Sequence, residues 1–169
     1  VTNFSNTFQN CTVFNNGDAI GVSTKPLTWN VGNVTTFRDG FTGTRFNQEI
    51  GQWDVSNTES FYSAFSSCDE FNQDIGDWDL SSCTTLRGLC NSSTFNHDIS
   101  RLDVSNVTDF SLMFSNTPFN QDITGWDVSN GQIFGDMFQS CPFNQDISVW
   151  DMTNASSLYR MFRYNTTFN

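Results

Sequence analysis

The stretch Phe119-Asn120-Gln121-Asp122-Ile123-Thr124-Gly125-Trp126-Asp127-Val128-Ser129-Asn130 returns along the chain with small changes. Phe-Asn-Gln-Asp-Ile begins again at Phe71 and Phe143, and Phe-Asn-Gln-Glu-Ile begins at Phe46. Phe95-Asn96-His97-Asp98-Ile99 is the same string with one change. Successive openings lie 25, 24, 24 and 24 residues apart. Three residues after each Ile stands Trp53, Trp78, Trp126, Trp150 or, once, Leu102, and Trp29 holds that place in the first unit. A period of this size marks a chain of stacked units, because one such unit is too short to bury its own apolar face.

Numbered from the opening Phe, the consensus is F-N-Q-D-I-x-x-W-D-V-S-N-V-T-x-F-x-x-M-F-x-x-x-x. All 18 Phe fall at positions 1, 16 or 20 and all five Trp at position 8. The unusual aromatic content is thus committed to one repeating task. The chain divides into a partial unit 1–13, units 14–45, 46–70, 71–94, 95–118, 119–142 and 143–167, and a truncated unit 168–169, within a single domain spanning 1–169. Unit 14–45 carries a surplus at 17–27, with Gly21 and Pro26, read as an inserted surface loop. Neither end reads as a capping repeat, so a longer parent array is expected.

The expected core is positions 1, 5, 8, 10, 13, 16, 19 and 20, with Phe46, Phe71, Phe95, Phe119, Phe143, Trp53, Trp78, Trp126 and Trp150 in axial ladders. Trp-Asp-Val at positions 8 to 10 alternates in, out, in, which predicts a short parallel strand. Positions 16, 19 and 20 have helical spacing, which predicts a short helical turn capped near position 14. The expected fold class is a leucine-rich-repeat-like repeat solenoid of about 24 residues per coil.

The repeated string resembles the BspA-type leucine-rich repeat, which also occurs in mycoplasma surface lipoproteins. The resemblance covers the chain apart from the loop 17–27. It implies a right-handed solenoid on surface-exposed or secreted microbial proteins, with adhesive roles and no catalytic residues. Unit 71–94 departs from the pattern, with Cys83, Leu86 and Cys90 where Val, Phe and Phe are usual.

Lys+Arg number 7 against Asp+Glu 18, a formal charge of −11, and the basic residues form no cluster along the sequence. An acidic surface repels nucleic-acid phosphates and anionic lipid. No apolar run reaches the length of about 20 residues that spans a membrane, and the start Val1-Thr2-Asn3-Phe4 has no leader character.

The carboxylates form two ladders. Position 4 carries Glu49, Asp74, Asp98, Asp122 and Asp146; position 9 carries Asp54, Asp79, Asp103, Asp127 and Asp151. Stacked carboxylates repel, so either calcium or backbone N–H groups at turns must offset the repulsion. No cofactor is otherwise expected, and no Asp-x-Asp-x-Asp-Gly loop supports calcium. Asn at position 2 reads as a scaffold ladder, and the single His97 as a replacement of its Gln neighbour.

Cys83 and Cys90 are either a disulfide across one coil or two buried thiols. Cys11, Cys68 and Cys141 share position 23, read as an outer turn. Seven Asn-x-Ser/Thr sequons occur; Asn10, Asn33, Asn106, Asn154 and Asn165 are the favoured glycosylation candidates, with Asn3 and Asn91 behind them. A tightly filled array is expected to leave no catalytic cavity. The expected function is a non-enzymatic extracellular scaffold at a cell surface, meeting other proteins or glycans along an extended face. The alternative is a structural component packing laterally in a cell coat, filament or virion shell.

Overall fold

The computed structural model describes residues 1–19 and 27–169. Residues 20–26, the centre of the expected loop, lie outside the described residues. The repeats wind into coils that stack, and each coil is built from turns. In unit 71–94, the Trp78 N–H donates to the Ile75 carbonyl at 3.2 Å and the Cys83 N–H to Leu80 at 2.8 Å. Three overlapping turns follow, with donation from Leu89 to Leu86, Asn91 to Gly88 and Ser93 to Cys90 at 3.0, 3.1 and 3.2 Å. The alternate N–H groups of this segment point to the next coil. Leu86 donates to Asp109, Gly88 to Ser111, Cys90 to Met113 and Ser92 to Ser115, all at 2.8 to 3.2 Å.

This pattern overturns the expected strand and helical turn. Among the described residues there is no helix, and strand pairing is confined to single residues. One parallel bridge per coil runs through Asn3, Thr36, Ser60, Thr85, Asp109, Ile133 and Ser157 at position 15. The helix fails because positions 18 and 22 are left-handed in every coil. Asn6, Asp39, Ser63, Gly88, Leu112, Asp136 and Arg160 occupy position 18, and φ at the two positions lies between 50° and 70°. A left-handed residue every fourth place ends any right-handed helix. Positions 16, 19 and 20 still turn inward, so helical spacing of apolar residues arises without a helix.

The strand is replaced for a different reason. N–H groups at positions 16, 18, 20 and 22 all donate forward, whereas a β-ladder needs reciprocal exchange between neighbours. Direction reverses around position 15, where the position-14 Thr84 N–H donates back to Glu59 at 3.0 Å while Leu86 donates forward. Positions 8 to 10 do alternate inward and outward, with Trp78 and Leu80 buried and Asp79 exposed, but no bridge forms there. The leucine-rich-repeat solenoid is therefore corrected to a stack of turn-built coils.

Position 15 supplies an element missing from the consensus. The position-17 N–H would be orphaned, and a side-chain oxygen two residues earlier accepts it. Thr36 accepts from Arg38, Ser60 from Tyr62, Thr85 from Arg87 and Asp109 from Ser111. Such oxygen-bearing side chains commonly close local turns.

The core runs along the axis. Phe46, Phe71, Phe95, Phe119 and Phe143 are fully buried, and Trp53, Trp78, Trp126 and Trp150 are buried. Rings at positions 20 and 1 of successive units stack closely, as with Phe114 and Phe119 at 3.8 Å and 4°. Rings one coil apart continue the ladder, with Phe110 and Phe134 at 5.1 Å. Such pairs contribute about 0.5–1.5 kcal/mol beyond their buried area. Each buried Trp also turns its indole N–H to a position-5 carbonyl or its equivalent in the preceding coil: Leu27, Ile50, Ile99 and Ile123.

Two substitutions separate these contributions in urea unfolding of the chain. Phe114→Ala is expected to cost about 3–5 kcal/mol, the range for an emptied aromatic site. Gly88→Val is expected to cost about 1–2 kcal/mol from its left-handed φ, and more if Ser63 Oγ, 3.0 Å from the new Cβ, cannot yield. A neutral Gly88→Val would contradict the turn-built coil.

Candidate functional site

The outward positions carry polar ladders, and most of their atoms are engaged in the coil itself. At position 9, Asp79, Asp103, Asp127 and Asp151 each accept the backbone N–H two residues later at 2.9 to 3.0 Å. Position 4 does the same through Asp74, Asp98, Asp122 and Asp146, each at 2.9 Å. Neighbouring carboxylates push one another's pKa upward, yet the turn hydrogen bonds prevail. Hydrogen bonding to Ser105, first through its side chain and then its backbone, holds the Asp103 carboxyl below the usual range despite Asp79. Ser129 does this for Asp127 between Asp103 and Asp151. The carboxylates therefore close turns, and no group of three or more potential metal ligands converges among the described residues.

One cation crosses the position-4 rungs. Arg101 Nε lies 2.8 Å from Asp77, and its guanidinium reaches Asp74 at 3.5 Å and Asp98 at 4.0 Å. All four side chains are substantially exposed, so the cluster orients groups more than it stabilises the fold. The structure also gathers basic residues that are scattered in sequence. Arg38 sits 4.3 Å over the Tyr62 ring and Arg87 lies 5.7 Å from it, because all three occupy position 17 of successive coils. The signal was present as a recurring position but hidden by its variable residue type.

A second ladder bonds Asn and Gln. Asn72, Asn96, Asn120 and Asn144 each donate a backbone N–H to the Asn side chain one coil earlier at 2.8 to 3.0 Å. Gln73, Gln121 and Gln145 then donate their amides to the same preceding Asn. His97 stands where Gln would be, and it makes no such bond to Asn72. Beside this break lies a groove of about 250 Å³ lined by Glu49, Gly51, Gln52, Gln73, Asp74, Asp77 and His97. It adjoins a second of about 270 Å³, formed by Leu27, Thr28, Trp29 and Trp53, with Glu49 and Gln52 shared. Trp29 is 36% exposed, whereas the other four Trp are buried. The outer surface therefore holds shallow grooves. A third, of about 350 Å³, lies among Asn144–Ser148 and Phe168–Asn169.

The cysteines are thiols. Cys83 and Cys90, the disulfide candidates, are both buried and free. The Cys83 thiol is directed at the Thr85 carbonyl at 3.5 Å, and Cys90 feels the field of Cys68 in the preceding coil. Burial raises the Cys68 thiol to about 11 and Cys83 to about 12. Position 23 is inward, contrary to its reading as an outer turn: Cys68 and Cys141 are buried, and their thiols donate to the carbonyls of Phe41 and Phe119. Cys11 is exposed.

The glycosylation candidates divide. Asn10, Asn33, Asn106 and Asn154 are exposed, Asn165 half-buried. The side-chain nitrogens of Asn106 and Asn154 donate to the carbonyls of Ser81 and Ser129 one coil earlier, and that of Asn165 donates to the Phe143 carbonyl at the start of its own unit. Asn10 and Asn33 make no such bond among the described residues. In material secreted through a glycosylating pathway, Asn10 and Asn33 are expected to be modified before Asn106 and Asn154, as read by intact glycopeptide mapping.

The carboxylates predict an acid limit. Their folded pKa values lie below the unfolded ones, so their contribution is present above the unfolded pKa of about 3.9 and is lost as pH falls through the folded values. Thermal melts should therefore decline below about pH 4. Asp103→Asn, which keeps the turn acceptor, should retain the neutral-pH melting temperature better than Asp103→Ala. Equal losses would show that turn closure is not the role of Asp103.

A family model described as a Mycoplasma protein of unknown function, DUF285, matches residues 1–91 and 60–169. Neither the curated proteins nor the solved structures contain a match to the chain. Matched over its whole length by two overlapping copies of that model, the chain belongs to the DUF285 family.

Proposed function

We propose that the chain is a non-enzymatic extracellular scaffold that binds proteins or glycans along its outer face at a cell surface. The observation that carries this reading is the repetition of the outward rungs. Polar groups recur once per coil at a spacing of about 4.8 Å, and they stand on a rigid aromatic core. A partner that touches several rungs gains affinity by summing weak contacts. The sequence-level resemblance to the BspA-type repeat supports a surface location and an adhesive role. The strand-and-helix coil of leucine-rich repeats is no part of the proposal.

The test is adhesion as a function of coil number. Deleting the whole unit 95–118 leaves neighbouring coils of matching register, and immobilised matrix proteins and glycans can then be probed by biolayer interferometry. Residence time is expected to shorten with each unit removed, without a single unit being indispensable. Retention of full binding until one particular unit is lost would contradict distributed surface binding.

A further inference from the structure

The geometry points to Asn16-Gly17 as a site of spontaneous self-modification, in which the Asn16 side chain passes through a succinimide to aspartate and isoaspartate. This goes beyond the surface-binding reading and does not depend on it. Asn-Gly occurs twice, at Asn16-Gly17 and Asn130-Gly131. The two dipeptides are chemically identical, so a difference in their reactivity comes from the fold. The reaction needs a free Gly N–H, an unheld Asn carboxamide and room for the nitrogen to reach it. Glycine suits it, because no Cβ shields the nitrogen and both signs of φ are open.

The first site meets these conditions. The Asp18 N–H donates to the Asn15 carbonyl at 3.0 Å, which closes a turn with Asn16 and Gly17 at its centre. Both central residues have positive φ, 51° and 79°, the pair that a type I′ turn requires. The fourth residue of such a turn makes the closing bond, and the N–H of the third stays outside it. Among the described residues the Gly17 N–H has no acceptor and the Asn16 carboxamide no partner. Gly17 is exposed and Asn16 half-buried. The second site is held at both groups. Gly131 is buried, and its N–H donates to the Val128 carbonyl at 2.7 Å. The Asn130 side-chain nitrogen donates to the Ser105 carbonyl of the preceding coil at 2.8 Å.

The step needs only water. Hydroxide removes the Gly17 N–H proton, and the nitrogen attacks Asn16 Cγ. The new N–Cγ bond closes the ring, the Cγ–Nδ2 bond breaks, and the nitrogen leaves as ammonia after taking a proton from water. Water then opens the ring at either carbonyl, giving aspartate or isoaspartate with no change of oxidation state. Isoaspartate places the Asn16 Cβ in the main chain, which disrupts the Asn15–Asp18 turn. Asn15 is buried beside it and begins the amide ladder, accepting the Asn47 N–H and the Gln48 amide, each at 2.9 Å. The modification therefore lies against the first rung of that ladder.

Peptide mapping of the whole chain, aged in mildly alkaline buffer with and without urea, tests the inference; fragmentation that separates isoaspartate from aspartate identifies the product. In the folded chain Asn16 is expected to convert at least about tenfold faster than Asn130, because Gly131 must first break its turn bond by local opening. In urea the two sites should convert at similar rates. Gly17→Ala, which shields the nitrogen, should slow conversion of Asn16 in both states and leave Asn130 unchanged. Equal rates at the two sites in the folded chain would overturn the assignment, as would an Asn16 that stays intact under native conditions. A preference for Asn16 that persists undiminished in urea would show that neighbouring sequence, not the fold, selects the site, and would overturn it too.

Discussion

One-way hydrogen bonding between coils is the constraint on which the molecule depends. At positions 16, 18, 20 and 22 the N–H groups of each coil before the last are spent on the following coil, and those at 19 and 21 close turns within their own coil. The arrangement satisfies the backbone without helix or sheet, as a buried backbone requires. It needs left-handed residues at positions 18 and 22, and Asn, Asp, Ser and Gly mostly occupy them. Leu112, Arg160 and Tyr164 are exceptions.

From that backbone register the side-chain ladders follow. Identical positions lie one above another, so Phe meets Phe, Asn meets Asn and Asp meets Asp. Aromatic stacking stabilises the first arrangement and amide hydrogen bonding the second. The third is repulsive in itself and is offset by the turn N–H groups that each carboxylate accepts. Departures from the pattern are local. His97 and Trp29 are such departures, and they border the same furrow.

The aromatic ladders were legible because they are expressed as residue identity at a fixed period. Phe and Trp have no other place in the chain, so their burial could be read directly except towards the ends, where Trp29 and Phe168 are exposed. The local conformation was less legible. Spacing of i, i+3, i+4 at positions 16, 19 and 20 is shared by a helix and by this chain of turns; only the recurrent small polar residues at 18 and 22 distinguish them. Trp-Asp-Val alternation likewise reports burial, not pairing. Cys83 and Cys90 illustrate a third limit, since two apolar positions in one coil do not decide between a disulfide and two buried thiols. The groove was illegible because it joins residues from neighbouring coils, and the Arg38, Tyr62 and Arg87 stack was hidden for the same reason.

The central claim is most directly tested by residue-resolved amide hydrogen exchange. The forward-donating amides, such as Leu86, Gly88, Cys90 and Ser92, should be protected together with the turn-closing amides Leu89 and Asn91. Asp79 and its counterparts at position 9 should exchange much faster, because no inter-coil bridge forms there. Protection concentrated at positions 8 to 10, with helical carbon chemical shifts across positions 16 to 20, would contradict the turn-built coil.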